Sequence, residues 1–344
     1  MAWETVIGLE VHVQLATRSK LFCGCPAAFG DRPNTNVCPV CLGLPGALPV
    51  PNAEAVRLGV VAALALGCEV HRRSVFARKN YFYPDLPKGY QISQFDRPLA
   101  TGGRLTCQSP ERGPVAIGVT RLHLEEDAGK LVHDRFPDAT AIDLNRAGVP
   151  LAEIVSEPEM RSPGEARGYL NALKQILEYA GVSECNMEQG SLRVDANVSV
   201  RPVGATTLGT KAEIKNMNSF ANVERAIGAE VARQTAILDG GGRVRQVTLL
   251  FDAGSGEVRP MRAKEASHDY RYFPDPDLPP IVLEAEWLDR QRAELPELPA
   301  DRRARFAADF RLSDYDAGVL TAERPVADYF EAVIAAGAPP KAAA

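Results

Sequence analysis

The sequence predicts an α+β fold, and three observations carry that expectation. Several segments alternate strictly between apolar and polar residues, the pattern of half-buried strands. Two long segments, opening near Ser162 and Ser219, have the start and stop signals of helices. From about residue 295 the chain turns rich in Ala, Arg and Glu with a helical period.

The first strand is expected at 5–15. Ile7, Leu9, Val11, Val13 and Leu15 fall on one face, and Glu10, His12 and Gln14 on the other. A Cys/Pro/Gly-rich loop region follows, and then a helix over 53–66, with Asn52 as cap and Gly67 as a left-handed stop. Residues 76–95 are aromatic and broken by Pro84 and Pro87. Strands are expected over 104–107, 115–125 and 141–146, with Arg121, His123, Glu125 and Asp127 on a shared face.

Ser162, Pro163 and Glu165 form a capping box with Pro at the first helical position, so a helix should run to about Ala180 and stop at Gly181. Strands at 192–201 and 209–216 read as a pair across 202–208. The first sets Arg193, Asp195, Asn197 and Ser199 together, and the second Lys211, Glu213 and Lys215. A second helix should run from Ser219 to Leu238 and end at Gly240, Gly241 and Gly242, before strands near 244–251 and 256–262. Beyond the proline-rich stretch at 274–280, Phe306, Phe310, Val326, Tyr329, Phe330 and Val333 mark an expected helical module, which is expected to be cut short.

At 344 residues the chain can hold two or more domains. With 45% hydrophobic and 24% charged residues it has an ordinary globular composition. No apolar run reaches the roughly 18–20 residues of a membrane span, and the first residues lack a signal-type core, so no membrane association and a cytoplasmic location are expected. A net charge of −5 argues against a general nucleic-acid binder. Seven cysteines, an odd number, argue for free thiols in a reducing compartment rather than a disulfide framework. The sequence has neither a Walker-type loop nor a dinucleotide fingerprint, and no Gly-x-Ser-x-Gly elbow.

The polar strand faces combine carboxylates, His, Arg, Lys and amides, the side chains that bind metal and phosphate. Glu153 and Glu157, with Glu10, His12 and Glu125, offer a cation site whose oxygens and few nitrogens suit Mg2+. Cys23 and Cys25, then twelve residues, then Cys38 and Cys41 give two thiol pairs spaced for a closed, structural zinc site. Cys68, Cys107 and Cys185 stand alone and read as small buried residues. In the run 78–94, prolines stiffen the backbone, aromatics anchor it, and Lys79 and Lys88 are offered to an anion.

Segments 7–15, 79–90, 123–127, 143–151, 193–199, 215–219 and 267–278, together with the four cysteines, stand in an order that resembles the B subunits of aspartyl/glutamyl-tRNA amidotransferases across essentially the whole chain. The resemblance implies a mixed-sheet, cradle-shaped catalytic domain over 1–294 with a zinc element inserted at about 21–43. A helical domain would begin at 295 and be cut short at 344, with the C-terminal tail domain absent. It implies ATP-dependent phosphorylation of the side-chain carboxylate of Glu-tRNA(Gln) or Asp-tRNA(Asn), then amidation by ammonia. A partner amidase would release that ammonia from glutamine, and a small third protein would strap the assembly into a heterotrimer. Phosphoryl transfer needs positioning and charge stabilisation rather than a protein nucleophile, in keeping with the lack of a nucleophile motif.

Carried over by residue, the resemblance makes Glu10, His12 and Glu125 Mg2+ ligands, with Glu157 as a fourth. Lys79 and Tyr81 would lie near phosphate and substrate, Asp195, Asn197 and Ser199 would line the nucleotide or acyl-tRNA site, and Cys23, Cys25, Cys38 and Cys41 would hold zinc. The rival expectations are a zinc-stabilised tRNA-binding or assembly protein without chemistry, and a stand-alone ATP-dependent amide ligase. The repeated His/carboxylate/Lys faces, which a passive binder does not need, weigh against the first.

Overall fold

The computed structural model describes residues 2–261 and 270–344. Nine strands make one mixed sheet: β1 (Trp3–Gln14), β2 (Glu69–Val70), β3 (Ala100–Ser109), β4 (Gly113–Glu126), β5 (Pro150–Ser156), β6 (Leu192–Pro202), β7 (Ala212–Lys215), β8 (Thr248–Asp252) and β9 (Glu257–Pro260). Their order in space is β9-β8-β7-β6-β1-β5-β4-β3-β2, which puts β1 at the centre. Neighbours are antiparallel except β7 and β8, which run parallel.

The two faces of β1 differ as its alternation requires. Ile7, Leu9, Val11 and Val13 are 0–1% exposed and enter the core, whereas Glu10, His12 and Gln14 turn to the opposite face. Three helices supply the rest of this core: α1 (Ala53–Ala65), α2 (Pro163–Tyr179) and α3 (Phe220–Asp239). Leu58 and Val61 of α1, Tyr169, Leu170 and Leu173 of α2, and Val223 and Ile227 of α3 belong to this single buried cluster. Each such side chain contributes on the order of 1.5–3 kcal/mol by leaving water. Helix α2 lies so close to β3 that a Cβ on Gly168 would stand 2.3 Å from the Gln108 carbonyl oxygen, so no larger residue fits there.

The expected caps are present. Asn52 accepts from Glu54 N at 2.9 Å, and Gly67 takes the left-handed conformation at φ +66°. Ser162 accepts from Glu165 N at 3.2 Å, but the reciprocal half of the capping box is replaced. The Glu165 carboxylate instead accepts from Arg161 N at 2.7 Å and pairs with Arg112 at 2.6 Å. Ser219 caps α3 through Asn222 N at 3.1 Å, and Gly241 at φ +73° follows its end.

Some strand boundaries differ from expectation. The segment at 141–146 is not a sheet strand: Ala139–Asp143 pairs only with Lys130–Phe136, as a separate hairpin. The expected strands at 209–216 and 244–251 shorten to β7 and β8. Residue 262 lies outside the described residues. Strand β5 was not expected, because it is buried on both faces and shows no alternation. In the aromatic stretch, Ala77–Asn80 pairs antiparallel with Tyr90–Ser93, and Phe273–Pro274 joins as a third strand.

Beyond α4 (Ala285–Ala293), whose Leu288 packs in the main core, α5 (Pro299–Asp309), α6 (Asp314–Leu320) and α7 (Arg324–Ala335) surround a second small core. Phe306 and Phe330 are its buried centre, with ring centroids 5.0 Å apart. Val326 and Tyr329, expected beside them, face outward at 41% and 73% exposure. Among the described residues no helix is long and apolar enough to cross a membrane.

Cys68, Cys107 and Cys185 are buried, as expected, and burial pushes their thiols up to about 11, 11 and 12. Alkylation requires the thiolate. Treatment of the native protein with iodoacetamide at pH 8 should therefore leave all three unmodified by mass spectrometry, and unfolding should expose them. Native modification of any of the three at the rate of a free thiol would contradict their burial.

Candidate functional site

Strand register builds a polar row across the centre of the sheet. His12 lies opposite Arg193 of β6 on one side and opposite Glu153 of β5 on the other, and Glu153 in turn lies opposite His123 of β4. Two residues along β1, Glu10 is opposite Asp195 and Val155. Glu125, opposite Leu151, adds a carboxylate beside His123.

The side chains meet. His12 Nε2 stands 3.4 Å from an oxygen of Glu125 and 3.4 Å from one of Glu153. His123 Nε2 stands 3.2 Å from Glu153 and 3.9 Å from Glu125. Two triads suited to a metal ion overlap at Glu153, namely Glu10, His12 and Glu153, and His123, Glu125 and Glu153. This donor set fits a divalent cation, since three carboxylates offer hard oxygens and two imidazoles offer ring nitrogens once a cation displaces any proton they carry.

The electrostatics follow from burial and crowding. Burial disfavours a charged His12, but the hydrogen bond to Glu153 and the negative charges of Glu125, Glu153 and Asp195 outweigh it and carry the imidazole up to about 9. Burial works against an ionised Glu153 too, but His123 and His12 hold it well below the usual carboxylate range. Glu10 is raised, first by burial and then by the Glu153 charge.

The small three-stranded sheet lies beside this face. Ser93 donates to Glu125 at 3.3 Å, and Gln94 accepts from Leu124 N at 3.0 Å, which fixes the hairpin to β4. Lys79, on the same hairpin, places its ammonium 4.9 Å from the Tyr270 ring centre and 5.9 Å from that of Tyr81. Burial is the largest single influence and opposes its charge, but Glu125 and the surrounding tyrosines together raise it to about 12. Burial likewise raises the Tyr81 phenol to about 12. Among the described residues no carboxylate lies within ion-pair distance of Lys79. Lys88 differs from expectation: it is partly buried and engaged by Glu126 in an ion pair.

Glu157 is not part of the cluster. Its carboxylate accepts from Thr120 Oγ1 at 2.7 Å, and of the two carboxylates Glu153 and Glu157 it is Glu153 that joins both triads. Asp195 is close by but is engaged by Lys215, which also contacts Glu213 at 3.1 Å. Asn197 lies opposite Gly8 and Glu213. Ser199 is about 13 Å along the strand from Asp195 and 5% exposed, so it does not join the row. At the other end, Asp127 accepts from Arg193 at 2.9 Å and faces Arg146 at 3.5 Å. Residues 267–269 of the last family motif lie outside the described residues.

The four cysteines converge. Cys41 Sγ lies 3.6 Å from Cys23, 3.7 Å from Cys38 and 3.9 Å from Cys25, and all four sulfurs fall within 4.8 Å of one another. A tetrahedral metal with bonds of about 2.3 Å separates its sulfurs by about 3.8 Å. These thiols therefore fit a closed metal centre.

Residues 5–289 match the family model described as the GatB/GatE catalytic domain. Among curated proteins, the chain is 60% identical over 342 residues to the B subunit of the aspartyl/glutamyl-tRNA(Asn/Gln) amidotransferase of Solidesulfovibrio magneticus, covering 99% of this chain and 72% of that protein. It is 58% identical to the same-named protein of Moorella thermoacetica, covering 97% and 71%. The protein of that name from Chlorobaculum tepidum is also 58% identical, with 97% and 70% covered.

His12 should make the metal-free protein sensitive to alkaline pH. Its folded value of about 9 lies above its ordinary 6.5, so its stabilising contribution is full below about 6.5 and is lost as pH rises through 9. Denaturant midpoints measured from pH 6 to 10 should fall over that window. Glu153→Gln should flatten the fall, because it removes the main hydrogen bond that raises His12. A variant profile parallel to that of the unmodified protein would contradict this assignment.

Proposed function

The chain belongs to the GatB/GatE catalytic-domain family as a B-type component of tRNA-dependent amidotransferases, and from that premise we propose that its polar sheet face activates a tRNA-borne carboxylate with ATP. An oxygen of the Glu or Asp side chain on Glu-tRNA(Gln) or Asp-tRNA(Asn) bonds to the γ-phosphorus, and ADP leaves with the electrons of the broken P–O bond. Ammonia then bonds to the acyl carbon, phosphate departs with the C–O electron pair, and the nitrogen loses its surplus proton. The ammonia is released from glutamine by the partner amidase, and a small third protein completes the heterotrimer.

The observation that carries this reading is the row of Glu10, His12, Glu153, His123 and Glu125 beside Lys79. Glu10, His12, Glu125 and Glu153 would hold Mg2+, which on binding would offset the negative charge of phosphate and carboxylate oxygens. Without a cation, three carboxylates on one face would repel a substrate carboxylate and a polyphosphate alike. Lys79 offers its charge to a phosphate oxygen, and Tyr81 packs beside it as a wall of the substrate pocket. Asp195 and Asn197 would line the same face, with Asp195 fixing Lys215 as a second cation. A passive tRNA-binding role is not favoured, because it would have no use for so costly a group of buried charges.

The four-cysteine element is read as a structural zinc centre, since four thiolates leave no open position for chemistry. Residues 1–294 are read as one cradle-shaped catalytic domain and 295–344 as part of a helical domain, a division supported by the two separate cores. A cytoplasmic location belongs to the same reading.

Phosphate release from labelled ATP, in the complex with both partner proteins, should require one of the two misacylated tRNAs. Release that is the same without acyl-tRNA would refute the kinase reading. His12→Ala or Glu125→Ala should lower ATP-dependent amidation by at least about 100-fold, the scale of lost charge stabilisation, and leave glutamine hydrolysis by the partner measurable. Cys38→Ser should lower bound zinc and the melting temperature together, as seen by metal analysis and calorimetry. A zinc-replete Cys38→Ser protein of unchanged stability would remove the structural-zinc assignment.

A further inference from the structure

Lys20 has no solvent exposure. A buried ammonium is costly unless it is hydrogen-bonded and its charge is matched. Its Nζ donates to the Asn36 carbonyl at 2.7 Å, the Leu144 carbonyl at 3.3 Å and Cys41 Sγ at 3.4 Å. Among the described residues no carboxylate lies within ion-pair distance of it. Two of its partners are therefore neutral, and only the sulfur can supply a counter-charge.

The four-cysteine centre has the complementary problem. Four thiolates around one divalent ion leave a net charge of −2, and outer-shell donors are what usually offset such charge and fix the ligands. Each group thus accounts for the other. The contacts of Lys20 also span a junction: Asn36 lies within the cysteine element, and Leu144 begins the turn that carries Arg146. Arg146 faces Asp127, Asp127 holds Arg193, and Arg193 lies opposite His12.

We propose that Lys20 is a positioning residue for the four-cysteine metal centre: it donates to the Cys41 thiolate, offsets part of the centre's charge, and ties the centre to the Arg146 turn. The proposal rests on reading the four cysteines as a metal site. Lys20 touches neither substrate nor metal. Its stem is buried along with its head, since the whole residue is 0% exposed.

The test uses the whole chain loaded with Zn2+ for affinity and with Co2+ for absorption. Lys20→Met keeps a stem of similar length without charge or donor. It should lower Zn2+ affinity by about 10–100-fold in chelator competition. It should also move the sulfur-to-cobalt charge-transfer band to lower energy, because a thiolate that loses its hydrogen bond is the better electron donor. A folded Lys20→Met protein with affinity within about twofold of the parent, on a scale where outer-shell losses reach tenfold or more, would overturn the proposal. So would weaker affinity with an unmoved band, which would make Lys20 mere packing. Should Lys20→Met not fold, Lys20→Arg decides: retention of the parental band supports the proposal, and its loss overturns it. A parent protein that gives no tetrahedral Co2+ spectrum would overturn the four-cysteine reading itself, and this proposal with it.

Discussion

A slip of one residue in β1 would carry Glu10 and His12 from the polar face into the core, because strand side chains alternate with a period of two. The register of β1 against β5 and β6 is therefore the constraint on which the site depends. It is held from the apolar side. Ile7, Leu9, Val11 and Val13 have essentially no exposure, and exchanging them for Glu10 and His12 would bury two ionisable groups without partners. The core and the site are thus two faces of one commitment, and the same pairing that packs Leu9 and Val11 sets His12 opposite Glu153.

Such a site is built against stability. Glu153, at 5% exposure, is tolerated because two imidazoles share it, and His12 is charged to high pH because three acids surround it. Perturbed groups of this kind gather where charge is to be handled. A cation and a phosphate entering this face would meet groups already placed by backbone pairing rather than by flexible loops. Little rearrangement is then needed when charge builds up, which is the form of catalysis that phosphoryl transfer requires.

Much of this was legible in the chain. Alternation placed Glu10 and His12 on one face and Arg121, His123 and Glu125 on another, and caps at Asn52, Ser162 and Ser219 located the three helices of the core. What was missed has a common physical cause. Strand β5 is buried on both faces, so its sequence has no alternation to read, and Glu153 looked like one of two equivalent carboxylates beside Glu157. The available signal was a single charge inside an apolar run, which in a fully buried strand must be partnered. Lys88 was misjudged because its partner Glu126 is distant in sequence and only tertiary pairing brings them together. Tyr329 and Val326 show the weakness of helical period in a short module, where a small core can accept only one side of each helix.

The cysteine element joins the two walls of the site. On one side Asn34 and Asn36 are bonded to the 142–145 turn, through the Ile142 carbonyl at 2.9 Å, Leu144 N at 2.8 Å and the Asn145 side chain at 2.9 Å. That turn leads to Arg146 and the Asp127–Arg193 brace. On the other side Gly43, in the left-handed conformation at φ +63°, lies against Lys88, where a Cβ would fall 2.6 Å from Lys88 Cγ. Lys88 in turn holds Glu126 beneath the hairpin that bears Lys79. A metal that closes the four cysteines would therefore stiffen both the Arg146 turn and the Lys88 loop. An element with no open coordination position can still bear on the chemistry, because it limits how far those two walls can separate.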